Sequence, residues 1–159
     1  MGIIPQDSFI FTGSIRANLD PKKLHGDEDL WDVLRETQLA EVVIDMGGLD
    51  KEIKPDSLSV GQNQLLCLAR AVLHNAKVVC IDEATANLDE KTDQLIQITI
   101  QNHFKNSTVI TIAHRIQTVM KCDRVLVIDK GMVVECDEPE KLLENPDSFF
   151  SRLSHESYN

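Results

Sequence analysis

KVVCIDEATANLD, Lys77 to Asp89, is the stretch on which the reading of this chain turns. Its first half is a short, nearly continuous apolar run, the pattern of a strand buried on both faces of a parallel sheet. A strand that ends in Asp82 and Glu83 at the carboxyl edge of such a sheet puts two carboxylates where α/β proteins bind ligands. Asp82 is then placed to hold a hydrated magnesium ion, and Glu83 to orient or polarise an attacking water. The competing reading of two acids after a strand is a solvated turn.

Working downstream, STVITIA from Ser107 and RVLVID from Arg124 are apolar runs of the same kind. A helix over Glu90 to Phe104 joins the first two runs, and a shorter helical stretch joins the next pair. The order strand, helix, strand, helix, strand predicts a right-handed parallel α/β core. His114 follows the second of these strands at the same edge, where an imidazole is placed to meet a γ-phosphate; a lone loop histidine is otherwise a surface residue. DKGMVVEC puts a glycine between two apolar runs and predicts an antiparallel hairpin. From Glu138 onward the tail reads as two short helices, the second opened by Asn145 and Pro146.

Upstream, LSVGQNQLLCL (Leu58 to Leu68) begins a helix with a glycine and a glutamine in its first turn. Ser59 followed three residues later by Gln62 has the form of a capping box, with Gly61 leaving the backbone open between them. An exposed helix start of this kind turns free N–H groups and the positive end of the helix dipole outward, toward an anion such as a terminal phosphate. Taken alone, the pattern is a well-capped helix. DEDLWDVLRETQ (Asp27 to Gln38) spaces Leu30, Val33, Leu34 and Thr37 on one helical face, with Asp27 as its cap. The stretch Gly13 to Gly48 around it is mostly helical, precedes the core strands and is expected to form a separate lobe inserted into the fold.

With 159 residues, 42% of them hydrophobic, the chain fits one compact domain. A formal net charge of -10 opposes a nucleic-acid backbone, so no DNA or RNA partner is expected. Cys67, Cys80, Cys122 and Cys136 are scattered through apolar runs and form no CxxC pair, which predicts small buried hydrophobes in a reducing, cytosolic compartment. No apolar run approaches the roughly 18 residues of a membrane span. The start MGIIPQ lacks a signal-peptide core and the Ser or Thr of a myristoylation motif. Any membrane role is expected to come through a partner.

LSVGQ, an apolar strand ending in DE, ANLD directly after it, and AH at the end of the next strand, in this order, resemble the nucleotide-binding domain of ATP-binding cassette (ABC) transporters. The resemblance spans nearly the whole chain. Within that family, FTGSIRANLDP, LLCLARAVL, CIDEATANLD, KTDQLIQ and TIAHR are most similar to the second nucleotide-binding domain of the multidrug resistance-associated proteins. The resemblance implies a P-loop NTPase-like α/β core, a parallel sheet with flanking helices and a C-terminal hairpin, together with a helical subdomain. The helical subdomain would cover about residues 13–75, and the Walker B segment through the C-terminal core about 76–159.

By the same likeness, Gln6 in IIPQD is the Q-loop glutamine, catalytic and a magnesium ligand beside Asp82. VVCIDE is the Walker B segment with Glu83 as catalytic carboxylate, Asp89 ends the D loop, and His114 is the switch histidine. Two such domains pair head to tail in the family, so Ser59, Gly61 and Gln62 of the signature motif would serve an ATP held by the partner domain. ATP and Mg2+ are the implied cofactors. A second nucleotide-binding domain and the transporter's transmembrane domains are the implied partners, at the cytosolic face of a membrane. Contact with coupling helices is the family analogue for the lobe carrying Trp31, beside plain core packing of that residue.

Several features depart from the pattern. No GxxxxGK followed by Ser or Thr occurs in the 159 residues, so the Walker A loop and the aromatic residue that stacks on adenine are missing from this partial domain. Val60 stands where the commonest signature has Gly, Asn63 where a basic residue is usual, and KEIKPDS where a Gly-rich approach is usual. The first functional expectation is therefore an ATP-hydrolysing module of an efflux transporter, seen as a fragment that neither binds nor hydrolyses ATP by itself. The second is a noncatalytic module that docks on an intact nucleotide-binding domain. A chromosome-associated ABC ATPase would need long coiled-coil arms and a DNA-compatible surface, and neither is visible.

Overall fold

The computed structural model describes residues 1–83, 88–113 and 115–156. The chain divides into two compact units, Met1–Ile112 and Ala113–Asn159. In chain order the first contains β1 (Gly2–Ile4), β2 (Gly13–Ser14), α1 (Ile15–Leu19), α2 (Asp27–Glu36), α3 (Ala40–Met46), β3 (Glu52–Ile53), α4 (Val60–Leu73), β4 (Val78–Asp82), α5 (Glu90–His103) and β5 (Thr108–Ile112). The second contains α6 (Ile116–Val119), β6 (Val125–Asp129), β7 (Met132–Asp137), α7 (Pro139–Glu144) and α8 (Phe149–Glu156).

In the first unit a parallel sheet has the order β1, β4, β5, with Ile4 opposite Ile81 and Asp82 opposite Ile112. The amphipathic helix α4 lies at the centre of the unit and contacts α1, α2, α5 and β1. Its residues Leu66 and Leu68 are buried in one core with Leu19, Leu34, Ile53, Val79 and Ile96. A Cβ on Gly2 would stand 3.2 Å from that of Ala76 and 3.6 Å from that of Ala71, so glycine lets β1 lie close to the C-terminal part of α4 and the segment after it without crowding Ala76. Truncating a core leucine such as Leu66 to alanine costs about 2–5 kcal/mol, because a cavity is added to the lost apolar burial.

The helix α2 buries Leu30, Val33 and Leu34, and its C-cap Thr37 is buried on the same side, as the period predicts. Its cap differs from the expectation. Gly26 precedes the helix, and its N–H donates to Asp29 Oδ2 at 2.9 Å. Asp27 instead lies in the first turn and pairs with Arg16, whose guanidinium also bonds Asp50 at 2.8 Å. These ion pairs link α1, α2 and the segment after α3.

The expected third parallel strand also differs. Val125–Asp129 pairs antiparallel with Met132–Asp137, and the third strand of the parallel sheet is Gly2–Ile4. The hairpin itself turns where expected, with Lys130 at φ 48° and Gly131 at φ 79°, a pair of positive angles that suits a two-residue reversal. Burial on both faces is only partly met by β4, where Val79 and Ile81 on one face are buried and Val78 and Cys80 on the other are half-buried, and it fails for β5, where Ile110 is 53% and Ile112 57% exposed. The strand β4 has hydrogen-bonded neighbours on both sides, whereas β5 has one.

Two further expectations are corrected. Only Cys67 of the four cysteines is buried; Cys80 and Cys122 are half-buried, Cys136 on β7 is exposed, and all four are free thiols. The last helix starts at Phe149 rather than at Asn145 and Pro146. Asn145 forms a turn by accepting from Asp147 N–H at 3.0 Å, and Ser148 Oγ caps α8 by accepting from Ser151 N–H at 2.9 Å. The Glu135 carboxylate of β7 accepts from Phe149 and Phe150 N–H at 2.7 and 3.0 Å, satisfying two more donors of that helix start.

Among the described residues no helix is long and apolar enough to cross a membrane.

Candidate functional site

Two groups of expected site residues can be built from the strand and helix ends. The first lies at the carboxyl edge of the parallel sheet. Because Ile4 and Ile81 are register partners, the chain leaves β1 and β4 side by side, Gln6 two residues past the one and Glu83 two residues past the other. Gln6 and Asp82 are exposed and Glu83 is half-buried.

Glu83 has φ 43°, in the left-handed region that a glutamate seldom occupies, and its N–H donates to Ile112 O at 3.0 Å across the sheet. Such a conformation costs of order 1–3 kcal/mol and marks sites where geometry is imposed by surroundings. The bond to Ile112 extends the β4–β5 ladder by one residue while the left-handed turn ends β4. Its consequence is a carboxylate aimed by a fixed backbone.

A second group stands at the start of α4. Ser59 is the N-cap, its Oγ accepting from Gln62 N–H at 3.2 Å while Gln62 Oε1 accepts from Ser59 N–H at 2.9 Å. The reciprocal capping box read from the sequence is therefore formed, and Ser59 itself is exposed. Asp89 caps α5 in a similar way. Its Oδ1 accepts from Thr92 N–H at 3.1 Å and its Oδ2 from Thr92 Oγ1 at 2.6 Å. The hydroxyl bond first, then the backbone bond, holds the Asp89 carboxyl below its ordinary range.

These two helix starts meet: a Cβ on Gly61 would lie 3.2 Å from Thr92 Cγ2 and 3.4 Å from Thr92 Oγ1. The absence of a Cβ at Gly61 eases this close approach to α5, a reason additional to the open helix start. His114 lies outside the described residues, as do Ala84 to Asn87 between the acids and Leu88.

Two residues that sequence reasoning passed over belong to this arrangement. Thr92 is legible afterwards as the fourth residue of a D-x-x-T cap. Gln64 is a polar residue inside an otherwise apolar helical face, and its carboxamide donates to Pro5 O at 3.1 Å and to Gln6 O at 2.6 Å.

The donor set suits magnesium with phosphate. Among the described residues no three His, Cys, Asp or Glu side chains converge on a metal. Magnesium does not need such a cage, since it keeps several waters and takes one or two carboxylates together with substrate phosphates. Asp82, with the Gln6 carboxamide on the neighbouring strand end, offers hard oxygen ligands of that kind.

Residues 1–86 match the family model described as "ABC transporter". The chain belongs to the ABC transporter family. Its similarity extends through the C-terminal hairpin. ATP-binding cassette sub-family C member 10 of Mus musculus is 54% identical over 159 residues, covering 99% of this chain and 11% of the relative. ATP-binding cassette sub-family C member 4 of the same species is 49% identical over 156 residues, with 96% and 12% covered. ATP-binding cassette sub-family C member 2 of Homo sapiens is 49% identical over 151 residues, with 93% and 10% covered. This ABC chain thus spans about a tenth of the length of the curated relatives it matches. Its parallel sheet, flanking helices and β-hairpin are those of an ABC ATPase α/β core.

Proposed function

We propose that residues 1–159 contribute to the ATP-binding and ATP-hydrolysing module of an efflux transporter of sub-family C, as part of its second nucleotide-binding domain. The multidrug resistance-associated proteins, the seventh member in particular, are the likeness that suggests the position. The observation that carries the reading is the sheet edge, where Gln6, Asp82 and a backbone-aimed Glu83 leave neighbouring parallel strands. Head-to-tail pairing with a second nucleotide-binding domain, attachment to transmembrane domains, and location at the cytosolic face of a membrane complete the proposal.

Asp82 and Gln6 would hold Mg2+ with ATP, and the metal when bound supplies neutralisation of phosphate charge that two adjacent carboxylates otherwise repel. Glu83 orients the attacking water and accepts its proton. Ser59, Gly61 and Gln62 present the exposed α4 start to a nucleotide held by the partner domain, and His114 contacts the γ-phosphate. Residues 1–159 contain no glycine-rich phosphate loop, so the main β- and γ-phosphate contacts come from another segment. A helix terminus contributes only about 0.3–2 kcal/mol toward an anion.

The test is Glu83→Gln in the full-length protein. Hydrolysis is expected to stop while ATP binding persists. Equal turnover by wild type and variant removes Glu83 from the role.

A further inference from the structure

Gln64 stands in the second turn of α4, 3% exposed, one turn ahead of Cys67 and Leu68, which are buried in the core. Burying a carboxamide is unfavourable unless its polar atoms are paired, so a leucine would serve packing better here. Its nitrogen end is paired twice, with Pro5 O and Gln6 O, and only the amide NH2 can donate to two carbonyls, which fixes its orientation. Its Oε1 is buried without a hydrogen-bond partner among the described residues. Half of the side chain is thus satisfied and half is not, in favour of one contact.

The two carbonyls it takes lie just beyond β1, which ends at Ile4. Gripping the backbone rather than the side chain of Gln6 leaves the Gln6 carboxamide exposed at the sheet edge. The same helix carries the capping box of Ser59 and Gln62 in its first turn.

We propose that Gln64 is a positioning residue that fastens the Pro5–Gln6 loop to α4, so that the sheet-edge carboxamide of Gln6 and the anion-facing start of α4 keep one mutual geometry. The proposal rests on the functional reading above for its consequence in catalysis, but not for the clamp itself. Gln64 touches no reacting atom; it acts through the loop it holds.

Hydrogen exchange on the full-length protein, combined with steady-state hydrolysis, tests it. Gln64→Met keeps the volume and removes both donors, and about tenfold faster exchange is expected at residues 6–8. Amides of α4 and β4 should keep their protection. Turnover should fall about tenfold at an ATP KM changed by less than about twofold, the sign of lost positioning rather than lost nucleotide affinity. Gln64→Glu supplies the second variant. Its carboxylate cannot donate at neutral pH, whereas the protonated acid donates one bond, so protection of residues 6–8, corrected for intrinsic exchange, should return as pH falls.

Unchanged exchange at residues 6–8 in Gln64→Met overturns the proposal. So does faster exchange spread equally over α4 and β4, which is the signature of a loosened core, and so does a Glu variant without recovery at low pH. If wild type hydrolyses no ATP but the exchange pattern holds, the functional reading fails and the clamp stands.

Discussion

Gly61 at the start of α4 sits against Thr92 of α5, leaving 3.2 Å between Thr92 Cγ2 and the point where a Cβ on Gly61 would be. Thr92 cannot easily rotate away, because its Oγ1 is committed to Asp89 Oδ2 at 2.6 Å. The glycine is thereby fitted to a neighbour that its own chain supplies, 31 residues onward.

The fit predicts a compensating pair. Gly61→Ala gains helix propensity but meets a fixed methyl group, and a net loss of about 1 kcal/mol is expected in denaturant unfolding. Thr92→Ser removes that methyl and keeps the hydroxyl bond to Asp89, so the double variant should recover most of the loss, as a positive coupling in a double-mutant cycle. Simple additivity of the two substitutions would show that Thr92 yields freely.

Thr92→Val removes the hydroxyl donor that is the largest cause of the depressed Asp89 carboxyl. Asp89 should then titrate closer to its ordinary value of 3.8, as read by carboxyl carbon shifts in NMR. Because the folded value lies below the unfolded one, the bond stabilises the chain above about pH 4 and its contribution fades as pH falls through the folded value. The variant should therefore lose the most stability near neutral pH and least in acid.

The left-handed backbone of Glu83 predicts a conflict between stability and chemistry. Asparagine tolerates this region better than glutamate, so Glu83→Asn should raise the unfolding free energy by up to about 1 kcal/mol. The same change shortens and neutralises the side chain and should abolish hydrolysis in the full-length protein. A destabilised Glu83→Asn variant would mean that contacts of the glutamate side chain outweigh the backbone strain.

Asp20 is a buried acid at the end of α1, and its Oδ2 accepts from His25 N–H at 2.7 Å. Burial opposes its ionisation, yet the backbone and side-chain bonds from His25 and the backbone bond from Leu24 outweigh burial and hold the carboxyl below its ordinary 3.8. With the folded value depressed, its stabilisation is complete above the unfolded value and is lost as pH falls through the folded one. Asp20→Asn should be less stable than wild type at neutral pH, with the gap narrowing as pH falls below the ordinary 3.8 and through the depressed folded value. Equilibrium unfolding at a series of pH values checks it, and a gap that stays constant counts against the assignment.

What the sequence determined by itself is local. The capping box of Ser59 and Gln62 spans one helical turn, the reversal at Gly131 needs two residues, and the period of α2 names its buried face; each is decided by neighbours a few positions away. The order of the motifs likewise made the α/β class and the family readable. The caps of α2 and α8 were misplaced because several polar residues near a helix start compete for one role, and only the packed chain selects Gly26 with Asp29, or Ser148 with Glu135.

Tertiary structure decided the rest. Gly2–Ile4 joins β4 as the third parallel strand, Gln64 reaches a carbonyl 58 residues away, and Thr92 closes on Gly61. No periodicity carries such pairings, since they depend on how α4 and the sheet bury their apolar faces against each other once the chain has collapsed. The left-handed turn at Glu83 belongs with them, because a strained backbone persists only where the surrounding structure holds it.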